Sequence, residues 1–224
     1  IDAQTLKTFS QIIDDALQPP KPTTVLTGPT HAEEVICRLP TTIVAANKDL
    51  EEAKLIQQIF TNTYFRVYTA IDAVGSELCG ALKNIIALAA GIADGIGYGD
   101  NAKAALITRG ITEIARLGSA MGARPETFGN LAGIGDLIVT CTSMHSRNRR
   151  AGIMIGEGVP ASEAVSRIGM VVESMYTTQA AFDMSRKYGV EMPITEQIYK
   201  VIKEEVAGSD AVRALMLRSI SALT

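Results

Sequence analysis

The chain has 224 residues, of which 47% are hydrophobic and 20% are charged, and its formal net charge is −3. A chain of this length and composition can bury the core of one large domain or of one and a half ordinary domains. The slight acidic excess argues against a general nucleic-acid binder, which usually carries a marked basic excess, although a local basic cluster could still hold one phosphate.

Helical and extended patterns alternate in the first third of the chain. Apolar residues recur at helical spacing from Thr5 to Leu17, and QPPKP at residues 18–22 is expected to end that helix. Three short β-branched segments then alternate with helical ones; they are TTVLTGPT, TTIVAAN and YFRVYTA. This alternation predicts an α/β layer with some parallel strand pairing, and it resembles the tail end of a doubly wound domain whose first strands are missing.

After Ile71 the strand signal disappears, and the remaining segments predict an all-helical domain. Asp100 or Asn101 is expected to cap the second of these helices, and Ser209 or Asp210 the last. The predicted helices cover residues 73–93, 102–121, 125–130, 146–156, 162–168, 175–188, 194–206 and 210–222.

Cysteine usage and hydropathy indicate a cytoplasmic protein without a membrane span. The three cysteines, Cys37, Cys79 and Cys141, show no metal-ligand spacing and are expected to be reduced thiols. No run of about 18 uninterrupted apolar residues occurs, and the longest candidate, 85–96, is short. The chain opens with an isoleucine rather than a methionine, so we expect it to be cut from something longer.

Lys83 stands in the middle of an otherwise apolar helical run, ELCGALKNIIALAAG. Its neighbours on the same helix face are small or apolar, including Cys79, Gly80 and Ala87. An ammonium removed from water costs several kcal/mol unless it is paired. Lys83 is therefore either a catalytic or ligand-binding residue or a lysine whose ammonium reaches the surface, and the pattern alone leaves both open.

The segment GIGDLIVTCTSMHSRNRR, residues 133–150, combines Asp136 and Thr140 with a basic cluster. Arg147 and Asn148, near a predicted helix N-terminus, offer a planar donor fork and an amide that suit a phosphate oxyanion. The alternative is a solvated basic turn.

A second candidate ligand edge lies in LTGPTHAEE, where a strand runs into a turn and a helix. Ligands of doubly wound sheets bind at this edge. Thr30 can equally be an ordinary N-cap with Glu33 as its capping-box partner, and His31 is expected to be structural. The sequence carries no GxGxxG fingerprint, and GIGYGD at 95–100 has the wrong spacing.

Four segments in this order resemble one family over nearly the whole chain. They are GPTHAEEV, GSELCGALKNIIALAAGIADGIGYGDNAKAALITRG, LAGIGDLIVTCTSMHSRNRR and GMVVESMYTT. Together they are similar to NAD(P)-dependent glycerol-3-phosphate dehydrogenases of the bacterial type. The resemblance implies an α/β remnant of a Rossmann-type domain (residues 1–71), lacking the first strands and the GxGxxG turn, followed by an all-α helical substrate-binding domain (residues 72–224).

The family resemblance also implies a reaction and its residues. The reaction is reversible reduction of dihydroxyacetone phosphate to sn-glycerol 3-phosphate with NADH or NADPH, feeding phospholipid synthesis, with no metal. Lys83 is implied as the catalytic acid/base. Substrate contacts are implied for Gly28, Thr30, Lys83, Asp136, Thr140, Ser146, Arg147 and Asn148, and cofactor contacts for Ala32, Arg147, Val171 and Glu173.

Several expectations accompany this resemblance. The partners are a small-molecule substrate and a possible second copy of the chain, with no nucleic acid. The 224-residue chain alone is expected to be inactive, because the turn that holds the cofactor pyrophosphate is absent. The alternatives are a related dehydrogenase of 6-phosphogluconate or 3-hydroxyacyl type, or a non-catalytic helical dimerisation module.

Overall fold

The structure is a computed structural model that describes residues 1–17, 19 and 23–218. The first helix, α1 (Phe9–Ala16), begins later than the predicted Thr5, because a capping box between Thr8 and Gln11 fixes its start. The predicted helix stop at 18–22 and the end of the last predicted helix, 219–222, lie outside the described residues apart from residue 19.

A three-stranded sheet with flanking helices forms the α/β part. Strand β1 (Val25–Thr27) pairs antiparallel with β2 (Thr41–Ala46), and β2 pairs in parallel with β3 (Phe65–Ala70). Helices α2 (Ala32–Ile36) and α3 (Leu50–Phe60) connect the strands. The alternation predicted from the sequence is confirmed, and so is the presence of some parallel pairing.

The rest of the described chain is helical, so the predicted α/β part of Rossmann type followed by an all-α part is confirmed. Helix α4 (Ala73–Ile96) runs through the centre, and fifteen of its 24 residues are buried. The other helices are α5 (Asp100–Ala120), α6 (Pro125–Phe128), α7 (Asp136–Thr142), α8 (Arg147–Gly156), α9 (Ala161–Ile168), α10 (Ser174–Tyr188), α11 (Pro193–Ile202) and α12 (Gly208–Met216).

Helices α4 and α8 cross at backbone contact distance. A Cβ added to Gly91 would lie 2.2 Å from the carbonyl oxygen of Arg149, and one added to Gly152 would lie 2.3 Å from that of Leu88. Gly95 and Gly156 meet the facing helix in the same way one turn later. Because side chains are absent from both helices at the crossing, the start of α8 is held rigidly beside α4.

The structure corrects the sequence prediction at several helix ends. Residues 131–142, predicted without a helix, form a π-helical segment (Leu131–Gly135) that continues into α7. Gly99, not Asp100 or Asn101, is the N-cap of α5. The N-cap of α12 is Ala207, before the predicted Ser209 or Asp210. Glycine and alanine can cap a helix with backbone groups alone, which the side-chain preference does not detect.

One helix, α4, is long and apolar enough to cross a membrane by length and composition. It extends well beyond the apolar run 85–96 seen in the sequence, and 61% of its most apolar window is buried inside the fold. Core helices of globular proteins meet the same criterion.

Candidate functional site

The Lys83 ammonium forms an ion pair with Asp136. Lys83 Nζ lies 2.6 Å from Asp136 Oδ1, and the two side chains are 20% and 2% exposed. The lysine therefore does not reach the surface as an isolated charge; it joins α4 to the first turn of α7. The catalytic or ligand-binding role of Lys83 stays a prediction.

A π-helical turn places Asp136 opposite Lys83. Asn130 caps this segment, its side-chain oxygen accepting from the N–H groups of Ala132 and Gly133. A Cβ on Gly133 would lie 2.3 Å from the carbonyl oxygen of Phe128, so only glycine fits there without backbone movement. Single π-helical turns are frequent at functional sites, and this one ends directly at the buried carboxylate.

Burial raises the pKa of Asp136, and the neighbouring charges and donors oppose that rise. Lys83 lowers it most, by charge and hydrogen bond, followed by the hydroxyl of Thr140 and by His31. The Thr140 hydroxyl donates to the Asp136 carbonyl over 2.6 Å and lies 3.4 Å from Oδ1. Oδ2 is buried and has no hydrogen-bond partner among the described residues.

The residues predicted to hold a phosphate lie together at the N-terminus of α8. Ser146 is its N-cap, and the serine oxygen accepts from the Arg149 N–H over 3.2 Å. Arg147 and Asn148 are its first two residues. The Asn148 amide donates to Asn84 Oδ1 over 3.0 Å, which ties this end of α8 to the α4 turn that carries Lys83.

Glu173 links the same helix end to the start of α10. Its carboxylate pairs with the Arg147 guanidinium and accepts from the Asn148 amide over 3.2 Å. Asn148 Oδ1 in turn accepts from the Ser174 N–H over 2.9 Å. Both amide hydrogens of Asn148 are thus used within the protein. Val171, two residues before Glu173, is 59% exposed.

The turn after β1 faces the same region from the α/β part. Gly28 has φ +149°, and an added Cβ would lie 3.1 Å from the Ile43 Cα. The Thr30 hydroxyl donates to the Gly28 carbonyl over 3.1 Å, so the predicted capping box with Glu33 does not form, and His31 is the N-cap of α2. Ala32 is exposed on the first turn of α2.

Two contacts place this turn against the helical residues. A Cβ on Gly80 of α4 would lie 2.9 Å from the Thr27 hydroxyl, so the end of β1 lies directly on α4 one turn before Lys83. The rings of His31 and His145 lie 5.5 Å apart, which joins α2 to the loop before α8. The structure therefore gathers most of the predicted site residues, from both parts of the chain, around Lys83.

A separate charge cluster lies about three helical turns after Lys83 on α4. Asp94 pairs with Lys103 over 2.8 Å and with Arg149 over 2.7 Å, and all three side chains are largely buried. It joins α4, α5 and α8 and uses Arg149, the second arginine of SRNRR. No spacing within SRNRR distinguishes Arg149 from Arg147.

Metal and thiol chemistry have no visible support in the described part of the chain. Residues 1–17, 19 and 23–218 hold no group of three or more His, Cys, Asp or Glu placed to bind a metal ion. The cysteines are not joined in disulfides. Burial raises the pKa of the Cys79 and Cys141 thiols to about 12, so neither is a thiolate at neutral pH.

Two family models cover most of the chain. The model described as NAD-dependent glycerol-3-phosphate dehydrogenase C-terminus matches residues 72–213, and its N-terminal counterpart matches residues 1–53. The chain is 54% identical over 220 residues to glycerol-3-phosphate dehydrogenase [NAD(P)+] of Lysinibacillus sphaericus, covering 97% of this chain and 65% of the relative. The protein of the same name from Bacillus pumilus is also 54% identical, with 64% of its length covered.

Solved structures of glycerol-3-phosphate dehydrogenases also resemble this chain. The crystal structure of glycerol-3-phosphate dehydrogenase from Coxiella burnetii superposes with a TM-score of 0.92 at 40% identity, covering 96% of this chain and 66% of that one. The yeast glycerol-3-phosphate dehydrogenase gives a TM-score of 0.82 at 26% identity, covering 91% of this chain and 62% of that one. The chain thus spans about two thirds of the length of such relatives, and it belongs to the NAD-dependent glycerol-3-phosphate dehydrogenase family.

Proposed function

We propose that this chain supplies the substrate-binding and proton-transferring part of a glycerol-3-phosphate dehydrogenase. The reaction is reversible reduction of dihydroxyacetone phosphate to sn-glycerol 3-phosphate, which feeds glycerophospholipid synthesis. The observation that carries the proposal is the Lys83–Asp136 ion pair beside the N-terminus of α8. It supports this reaction because a proton donor and an anion-binding helix end lie together in a member of this family.

Lys83 is the proton donor in the proposed mechanism. Its ammonium gives a proton to the ketone oxygen during reduction, and its neutral amine takes the hydroxyl proton in the reverse direction. Asp136 holds the ammonium through Oδ1, and Thr140 anchors the first turn of α7 that carries the carboxylate. Gly28 and Thr30 close the site from the α/β part.

The substrate phosphate is proposed to bind at the start of α8. The Arg147 guanidinium has five N–H donors, and its pairing with Glu173 leaves donors for a phosphate. Helix α8 has ten residues, and the backbone N–H groups of its first turn point out of the helix end with the positive end of its dipole. Because both amide donors of the Asn148 side chain are used, we propose that Asn148 contributes its backbone N–H and Ser146 its hydroxyl.

The cofactor is proposed to be NAD or NADP, with no metal ion. Ala32 and Val171 are exposed, and we assign them, with the Arg147–Glu173 pair, to the face that receives an extended dinucleotide between the two parts of the chain. A reduced nicotinamide supplies the hydride when bound. The described residues would form one side of the cofactor site and supply its charged groups. A dinucleotide-binding segment of the kind in the longer relatives would hold the pyrophosphate.

We further propose the organisation and setting of the protein. Residues 1–71 are the later part of a dinucleotide-binding domain, and residues 72–224 are the substrate-binding domain. The helical surface is proposed to support a homodimer, and the protein is proposed to act in the cytoplasm on a small-molecule substrate, without nucleic acid or a membrane span.

The test is an activity assay on a full-length protein that carries this chain behind a dinucleotide-binding segment. We expect NADH or NADPH to be oxidised on addition of dihydroxyacetone phosphate. The oxidised cofactor with 6-phosphogluconate or a 3-hydroxyacyl-CoA should give little reduction. A preference for either of those substrates, or no turnover with dihydroxyacetone phosphate, would contradict the proposal.

A further inference from the structure

Two buried polar atoms near Lys83 lack hydrogen-bond partners among the described residues. One is Nε2 of His31 and the other is Oδ2 of Asp136. A buried donor or acceptor left unpaired costs about 1–3 kcal/mol, so native proteins rarely keep such atoms without a bound group. Two of them in one region indicate a position for a ligand or a water molecule.

His31 and Asp136 belong to different parts of the chain that meet beside Lys83. His31 is the N-cap of α2, but its side chain makes no hydrogen bond that caps the helix. The imidazole ring is therefore available for a hydrogen bond to another group. Asp136 is the first residue of α7, and only its Oδ1 accepts the hydrogen bond from the Lys83 ammonium. The end of β1, four residues before His31, lies on α4 one turn before Lys83, because a Cβ on Gly80 would lie 2.9 Å from the Thr27 hydroxyl. The turn that carries His31 therefore lies beside the ion pair of Lys83 with Asp136. No direct hydrogen bond joins the two side chains.

One hydroxyl oxygen between them would satisfy both atoms. It can accept from an imidazole N–H while donating to the carboxylate, and a water molecule or a substrate alcohol has this chemistry. We propose that His31 is a positioning residue that shares one bound hydroxyl group with Asp136. This inference rests on the proposed function, because it assigns a further residue to the same site.

The shared hydroxyl would act on Lys83 through Asp136. Held at Oδ2 by the bridge, the carboxylate keeps Oδ1 turned towards the ammonium. His31 also connects the turn after β1 to α7, so the bridge links the α/β part to the proton donor.

The kinetic test uses three variants of the full-length enzyme. His31→Leu removes the nitrogen, and we expect kcat/KM for dihydroxyacetone phosphate to fall roughly 10- to 100-fold, as loss of a hydrogen bond to a charged group implies. His31→Gln places an amide nitrogen at similar reach and should recover most of the loss. His145→Leu, the control, removes the ring contact but leaves Nε2 in place, and should stay close to wild type.

A shortened substrate distinguishes the two sources of the hydroxyl. Hydroxyacetone phosphate keeps the ketone and phosphate but lacks the free hydroxyl of dihydroxyacetone phosphate. If the substrate hydroxyl forms the bridge, His31→Leu loses less activity with the shortened substrate than with the natural one. If water forms it, the loss is the same with both, and either result supports the bridge.

Crystal structures of the full-length enzyme, with and without sn-glycerol 3-phosphate, test the bridge without relying on activity. We expect an oxygen atom within hydrogen-bond distance of both His31 and Asp136 in at least one of them. Absence of such an oxygen from both, unchanged kinetics in His31→Leu, or an equal loss in His145→Leu would overturn the inference. A wild-type enzyme that shows the oxygen but no turnover would refute the proposed function and leave the bridge standing.

Discussion

Asn84 accepts a hydrogen bond from the amide of Asn148 over 3.0 Å, and this contact joins the residue next to Lys83 to the residue next to Arg147. The two candidate groups, a proton donor on α4 and a phosphate-binding arginine on α8, are thereby held at the same end of one helix crossing. A substrate with a carbonyl two atoms from its phosphate ester oxygen requires such a fixed spacing.

Replacing Lys83 by methionine should abolish most turnover while the protein stays folded. Loss of a general acid typically lowers kcat by about 10²- to 10⁴-fold, and steady-state rates of the full-length enzyme with circular dichroism would measure both properties. Lys103→Met is the matched control, since Lys103 also pairs with a buried aspartate, Asp94, which keeps Arg149 as a partner. Equal rates in the two variants would contradict the role of Lys83.

Replacing Arg147 by alanine should weaken substrate binding. Charge-assisted hydrogen bonds contribute about 1.5–3 kcal/mol, so we expect KM for dihydroxyacetone phosphate to rise roughly 10- to 100-fold. Arg167→Ala is the control, because Arg167 pairs with Glu163 on an exposed face of α9. An unchanged KM in Arg147→Ala would exclude a direct contact between this arginine and the phosphate.

The 224-residue chain alone should show negligible dehydrogenase activity. Its described residues supply the candidate proton donor and phosphate site, but the sequence carries no GxGxxG turn to hold a pyrophosphate. NADH oxidation with dihydroxyacetone phosphate should be measured side by side for this chain and for a full-length protein. Comparable rates would show that the chain needs no added segment.

The helices and strands were predicted well from the sequence where apolar residues recur with a clear period. They were predicted less well where contacts of the backbone set the local structure. The three strands and the buried helix around Lys83 follow from patterns of apolar residues. The π-helical turn before Asp136 does not, because LAGIG has no helical stripe and Asn130, its cap, was assigned to the end of the preceding predicted helix, 125–130. Its shape depends on the contact of Gly133 with Phe128, which is visible only in three dimensions.

The candidate site shows the same limit. Lys83 stood out because a charge in an apolar helix is unusual, but its partner Asp136 lies 53 residues away and no spacing rule connects them. His31 was expected to be structural, since a lone histidine beside a helix start gives no sign of what its ring faces. The glycines of the α4–α8 crossing were not singled out from the sequence, because the helix that each of them faces is visible only in three dimensions.

Replacing Gly152 by alanine should destabilise the protein, because the new Cβ would lie 2.3 Å from the Leu88 carbonyl oxygen. Overpacking costs about 1–3 kcal/mol, which exceeds the helix-propensity gain of up to about 1 kcal/mol from replacing glycine. Thermal or denaturant unfolding measures the difference. Gly99→Ala is the control, since nothing lies within 4 Å of its added Cβ. A Gly152→Ala protein as stable as the control would mean that α4 and α8 can move apart at the crossing without loss of stability.

Glu113 is a buried carboxylate on α5 that caps the start of α11. It accepts from the Ile194 N–H over 2.6 Å and from the Thr195 N–H and hydroxyl over 3.3 Å. Burial nevertheless raises its pKa from 4.5 to about 7, against these hydrogen bonds and the charge of Arg116. The ionised carboxylate is therefore less favourable in the folded protein than in the unfolded chain.

Because the folded protein binds this proton more tightly, the Glu113 contribution to stability is full below pH 4.5 and is lost as pH rises towards 7. With about 1.4 kcal/mol for each pKa unit, the loss is roughly 3 kcal/mol. Glu113→Gln cannot ionise, so its free energy of unfolding relative to wild type should increase across this range. Urea unfolding at several pH values measures it, with exposed Glu163→Gln as the control. A pH-independent difference would show that Glu113 ionises normally in the fold.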